Sequence, residues 1–224
     1  AGSTALFWLL SLFLKKEKVP FKDIILLFFA SIFGIVLNQV PYITGLSMTS
    51  PIDASLVTSM LPIITMLLAA LIIREPITWL KAIGVLVGAS GAFILIMNST
   101  NGHGKGNITG DLIILSAALS FALYLTIFKK LISKYSPVTT MKWMFLFATI
   151  VSYPVLRKSI SHTDFMAMDL SVWLRIGYIV VFATFITYLL IPIGQKTVRP
   201  TTLSMYNYMQ PIVASFVAVG LGMD

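Results

Sequence analysis

Residues 24–45 read IILLFFASIFGIVLNQVPYITG, twenty-two positions without one charged side chain. Wound as an α-helix, such a run is about 33 Å long. That is enough to cross a hydrocarbon core of about 30 Å. Working outward from it, further apolar blocks occupy 52–73, 80–97, 112–128, 140–156, 173–195 and 201–221, and a partial one occupies 1–14. In lipid every backbone N–H and C=O must be paired within the protein, which an open strand cannot do, so the blocks are expected to be helices. The expected fold class is an all-α membrane protein, a polytopic helical bundle of seven complete spans and one partial span.

Composition agrees. The chain is 58% hydrophobic and 11% charged, where a soluble domain carries about 25% charged residues. A net charge of +8 would suit a nucleic-acid partner if it were concentrated on one domain. Instead the basic residues stand in short clusters between apolar blocks. The clusters at 15–22, 74–81, 129–142 and 196–199 hold twelve of the sixteen lysines and arginines. Those loops are expected on the cytoplasmic side, and the alternation of sides needs no skipped span. Membrane lipid and a small-molecule solute are the expected partners, and nucleic acid is not. The chain has no cysteine, which leaves no disulfide and no thiolate metal site. Its two histidines, His103 and His162, fall in loops. No metal cluster, phosphate loop or nucleophile–base pair stands out, so no cofactor is expected.

The connections are short and polar. Ser50-Pro51-Ile52-Asp53 reads as a helix start, with Ser50 as N-cap, Pro51 in the first turn and Asp53 near the positive dipole end. Residues 98–110 are rich in Gly, Asn, Ser and Thr and divide the chain into 1–97 and 111–224. The chain opens at Ala1 inside an apolar block with no basic segment before it. That block is read as the tail of a helix and not as a signal peptide.

The halves partly superimpose at an offset of 149 residues. Gly45 falls on Gly194, Pro51 on Pro200, Ser55 on Ser204, Met60 on Met209, Pro62 on Pro211 and Ile63 on Ile212. In each copy a proline opens a span and a second proline follows eleven residues later. By the charge bias Pro51 lies outside and Pro200 inside, so equivalent helices enter the membrane from opposite faces. Inverted repeats of this kind are typical of transporters with a site near the bilayer midplane.

The run Glu75-Pro76-Ile77-Thr78-Trp79, followed by Gly84, Gly88 and Gly91, resembles the signature of the EamA domain of the drug/metabolite transporter superfamily. The order Gly45, Ser50-Pro51, Ser55, Pro62 is similar to that domain's passage between its third and fourth helices. Asp224 stands where the second repeat would place the counterpart of Glu75. The resemblance implies two inverted five-helix repeats, with the first helix, part of the second and the tenth lying outside this chain. It also implies movement of small metabolites, often export, across the bacterial inner membrane. The family spans amino acids, drugs and nucleobases, and the resemblance does not choose among them.

Polar groups inside spans need partners and mark candidate sites. Substrate-binding candidates are Asn38, Gln39, Tyr42, Thr58, Tyr124, Thr187, Tyr188, Tyr206, Asn207 and Gln210. An isolated Ser or Thr can return its hydroxyl to the preceding turn. An amide needs up to four partners, which one helical turn does not supply. Asn207 and Gln210 share a face and stand beside Pro211. Pro62 and Pro211 are expected to interrupt their spans and are candidate hinges. Gly84-x-x-x-Gly88-x-x-x-Ala92 is a small-residue ridge suited to close helix packing or to a homodimer. Other function classes fit less well. An intramembrane enzyme would need paired carboxylates or a nucleophile–base dyad at depth, and a non-transporting scaffold or receptor subunit would not need the polar lining.

Overall fold

A computed structural model describes residues 2–98, 107–162, 168–209 and 212–213. Every regular element among them is helical. We number these α1 (Gly2–Leu12), α2 (Phe21–Leu46), α3 (Pro51–Ser59), α4 (Leu61–Ile72), α5 (Trp79–Asn98), α6 (Ile108–Ile127), α7 (Lys129–Lys134), α8 (Pro137–His162), α9 (Leu170–Thr197) and α10 (Pro200–Met205). The segments Phe21–Leu46, Asp53–Ile72, Ile108–Ile127 and Leu170–Thr197 are long and apolar enough to cross a membrane. The expected block at 140–156 lies within α8, whose uncharged stretch between Lys142 and Arg157 is shorter than a bilayer core. Those two charged ends must therefore reach toward the interfaces. The block expected at 201–221 begins with α10, and its residues 210–211 and 214–221 lie outside the described residues.

The helices are broken in particular places. Within α2 the residues Ile32–Val36 form a π-helical turn, and within α9 the residues Ile179–Ile186 do the same. Shifted by 149 residues, the first π turn falls inside the second. The start of α2 falls on the start of α9 by the same shift, and Pro51 at the head of α3 falls on Pro200 at the head of α10. The expected interruption near Pro62 is also present. Here the helix stops at Met60, whose amide bonds to Val57 at 3.1 Å, and α4 begins at Leu61. Pro62 thus sits in the first turn of a new helix, where its missing N–H would have had no partner anyway. Pro211 lies outside the described residues, but a 3-10 turn at Tyr206–Tyr208 precedes it.

The chain folds as two compact units that do not follow its two halves. The first comprises Ala1–Val36 and Phe128–Thr197, and the second Leu37–Ile127 and Val198–Asp224. Helix α2 passes from one to the other directly after its π turn.

In the first unit α1 packs on α8 and α9. Phe7 is fully buried, with ring centroids 5.1 Å from Phe145 and 4.6 Å from Phe185. Thr4 and Thr149 share a hydrogen bond of 2.8 Å. Both π turns have a carbonyl engaged by a side chain: Ser3 donates to Val180 O at 3.2 Å, and Tyr188 donates to Gly34 O at 3.3 Å. A π turn misaligns its ladder and leaves such carbonyls in need of donors. The turn before α2 is held to the start of α8. Glu17 accepts the Ser136 amide at 2.9 and 3.2 Å. Partial burial pushes the Glu17 carboxyl up, but the hydrogen bonds from Ser136 and Thr139 outweigh it and hold the group below its ordinary range. Asp23 accepts from Lys134 at 2.5 Å and from the Tyr135 hydroxyl.

In the second unit α2 and α6 approach until their backbones touch. A Cβ on Gly45 would lie 2.6 Å from Gly110 O, and one on Gly110 would lie 2.9 Å from Gly45 O. Gly110 was expected in the connecting loop 98–110, yet α6 already starts at Ile108. The turn after α2 is tied to that start, with Thr49 donating to Asp111 at 2.7 Å and accepting the Asn107 amide at 3.3 Å. Ser50 caps α3 as expected, accepting the Asp53 amide at 3.1 Å while its hydroxyl donates to the Asp53 carboxylate at 2.7 Å. That reciprocal bond resembles a capping box. The far end of α4 closes at Arg74, a non-glycine residue in the left-handed region with φ of 54°.

Candidate functional site

The expected site residues divide between the two units. Asn38, Gln39, Tyr42, Thr58, Tyr124, Tyr206 and Asn207 belong to the second, and Thr187 and Tyr188 to the first. Gln210 lies outside the described residues.

In the second unit Asn38 sits just after the π turn of α2. Its amide reaches across to Ala117 O on α6 at 3.3 Å, which leaves its other amide valences for a further partner. Gln39 is half-buried and Tyr42 more exposed, one and four residues further along α2. Tyr124 is buried on α6 with its ring stacked on Phe121, centroids 5.6 Å apart. Thr58 donates to Ala54 O at 2.7 Å on its own helix, the local use open to any helical Thr. Asn207 likewise donates to Ser204 O at 2.9 Å. Tyr206 is exposed.

Residue 208 was not among the expected site residues. Tyr208 is buried, and among the described residues its hydroxyl has no hydrogen-bond partner. Its ring occupies the space where Gly88 lacks a side chain, since a Cβ there would fall 2.3 Å from Tyr208 Cδ2. Four residues earlier on the same ridge, a Cβ on Gly84 would lie 3.4 Å from Met205 Cε. The glycine ridge of α5 is thus covered within this chain, by α10 and the 3-10 turn. That is the close-packing reading of the motif at Gly84 and Gly88. An unpaired buried hydroxyl costs about 1–3 kcal/mol, so Tyr208 holds an open donor and acceptor. The sequence signal for it was its place in the polar cluster with Tyr206 and Asn207 ahead of Pro211.

Glu75 pairs with Lys81 at 2.8 Å, while Lys81 also donates to Pro76 O at 3.0 Å. The second oxygen, Glu75 Oε2, is buried without a partner among the described residues.

In the first unit Thr187 closes the π turn of α9 by donating to Phe182 O at 3.1 Å, five residues back. Tyr188 is buried, edge-on to Phe145 at 5.1 Å, with its hydroxyl on Gly34. These two candidates therefore serve the helix irregularities of their own unit. Among the described residues no group of three or more His, Cys, Asp or Glu could hold a metal ion.

Comparison with known proteins gives a consistent picture. A family profile described as the EamA-like transporter family matches residues 1–97 and again residues 108–222. The chain is 30% identical over 173 residues to an "Uncharacterized transporter" of Archaeoglobus fulgidus, which spans 77% of this chain and 60% of that protein. It is 23% identical over 193 residues to "Uncharacterized transporter YyaM" of Bacillus subtilis, spanning 85% of this chain and 63% of that one. The chain thus covers about three fifths of the length of these curated relatives. One solved crystal structure superimposes on all of this chain and on 76% of its own, with a TM-score of 0.81 at 18% identity, a likeness of fold alone.

Proposed function

Because this chain belongs to the EamA-like transporter family, we propose that it serves in moving small metabolites across a membrane by alternating access, as an exporter of amino acids or similar zwitterionic solutes. The observation that carries this reading is the recurrence of helix irregularities at repeat-equivalent places. A π turn interrupts α2 and another interrupts α9, and a break at Met60 is matched by the 3-10 turn at Tyr206–Tyr208. Irregular backbone at membrane depth is tolerated where it is buried in protein or lines a cavity. Discontinuous helices in paired repeats are where transporters place their sites.

In this reading the basic loops face the cytoplasm of a bacterial cell, and the two repeats run in opposite senses. Amide, hydroxyl and aromatic groups recognise the solute: Asn38, Gln39, Tyr42, Tyr124, Tyr206, Asn207 and Gln210, with Tyr208 added for its open hydroxyl. Such groups match the ammonium and carboxylate of a zwitterion without demanding a net charge. The test is efflux from proteoliposomes that contain the full-length protein and are loaded in turn with labelled amino acids, nucleobases and cationic drugs. Export of an amino acid that falls when Asn207 and Gln210 are both changed to Leu is the expected result. Absence of flux for every solute in the panel overturns the reading.

A further inference from the structure

Residues 13–22 read FLKKEKVPFK. They form the turn between α1 and α2 and the first two residues of α2, and Lys15, Lys16, Glu17, Lys18 and Lys22 are all exposed. Two carboxylates lie in or beside this run, and both are already engaged. Glu17 holds the Ser136 amide at the head of α8, and Asp23 holds Lys134 and Tyr135. Lys15, Lys16 and Lys18 make no ion pair among the described residues, and Lys22 and Lys196 act on Asp23 and Glu17 only as secondary charges. The result is a locally uncompensated positive surface pinned to a rigid helix start. Two aromatic side chains flank Lys15, Lys16 and Lys18: Phe13 is 85% exposed and Phe21, next to Lys22, is 76% exposed.

We propose that this turn is a docking surface for anionic phospholipid headgroups. In a bilayer the exposed rings of Phe13 and Phe21 enter the acyl boundary, and the lysines between them reach the phosphate layer on their aliphatic stems. A zwitterionic headgroup brings a phosphate and its own cation. An anionic one brings uncancelled charge to a surface whose own acids are occupied. Each lysine near such a surface strengthens binding about fivefold at moderate salt. The pinning matters because Glu17 and Asp23 hold the loop in place before any lipid arrives, so little ordering is lost on binding.

The experiment is a thermal melt of the full-length protein in detergent, titrated with short-chain phosphatidylglycerol, short-chain phosphatidylcholine or inorganic phosphate. Phosphatidylglycerol is expected to raise the midpoint more than the other two, and added salt to diminish the effect. In K15Q/K16Q/K18Q/K22Q the phosphatidylglycerol shift is expected to be lost. In R157Q it is expected to remain, since Arg157 lies about 30 Å along α8 from Ser136. Should the fourfold variant not fold, K15Q/K16Q is expected to show a reduced shift. Equal protection by phosphatidylcholine or by inorganic phosphate, or an undiminished response in the lysine variants, overturns the proposal. This test reads lipid binding without solute movement, so its outcome is independent of the proposed transport activity.

Discussion

The hydroxyl of Tyr188 donates to the carbonyl oxygen of Gly34 at 3.3 Å, joining the first residues after one π turn to the middle of another. Ser3 does the same for Val180 in the second π turn. Each bond brings a side-chain donor to a carbonyl within a π turn. Tyr188→Phe is expected to destabilise the protein by about 1 kcal/mol and to speed amide exchange around residues 32–37. Hydrogen exchange read by mass spectrometry checks this. Unchanged exchange in that segment would show that the bond does not support the turn.

Gly45 and Gly110 permit the backbone contact between α2 and α6. In Gly110→Ala the new methyl must meet Gly45 O and Thr49, neither of which is the end of a flexible chain. The helices must separate, and a loss of about 1–3 kcal/mol is expected. Gly91 is the control, because a Cβ there meets nothing within 4 Å. Gly91→Ala is expected to leave the melting midpoint unchanged or raise it, since alanine is the better helix former by about 1 kcal/mol. Equal effects at both positions would contradict the packing described.

The Gly88–Tyr208 contact gives a double-mutant cycle. Gly88→Ala should destabilise because the methyl collides with the ring, and Tyr208→Ala should destabilise by leaving a void. Combined, they should be less harmful than the sum of the two, since the methyl enters the vacated space. Tyr208→Phe removes only the hydroxyl. It is expected to hold or raise stability while lowering flux of the proposed solute. A stability loss in Tyr208→Phe would mean that the hydroxyl has a structural partner.

The Glu17–Ser136 bond predicts a pH dependence. The folded-state pKa of Glu17 is lowered, so its contribution is present above the unfolded value of about 4.3 and fades as pH falls through the folded value. The midpoint difference between the parent and Glu17→Gln is therefore expected to be largest near neutral pH and to shrink below about pH 4. A difference that persists in acid would remove the carboxylate from the account.

Arg74 occupies the left-handed region at the end of α4, a conformation costing a non-glycine residue about 1–2 kcal/mol. Arg74→Gly is expected to raise the melting midpoint in detergent. A midpoint lowered in detergent, where no bilayer is present, would contradict the strain.

Much of this was legible in the chain itself. Uncharged runs such as 24–45 announce helices in lipid, because hydropathy reports how a segment partitions and backbone pairing leaves it little choice of structure. Ser50 with Asp53 announced a cap, and residues 149 positions apart start helices in both halves, Phe21 with Leu170 and Pro51 with Pro200. The partnerships were not legible. Nothing in the residue order says that Gly45 meets Gly110, that Gly88 receives Tyr208, or that Glu75 pairs with Lys81. In lipid every apolar face is equally content, so hydrophobicity cannot choose a partner. The choice falls to shape, to the reach of a few polar side chains and to where a carbonyl is left without its helical donor, and these exist only once the helices are set against one another.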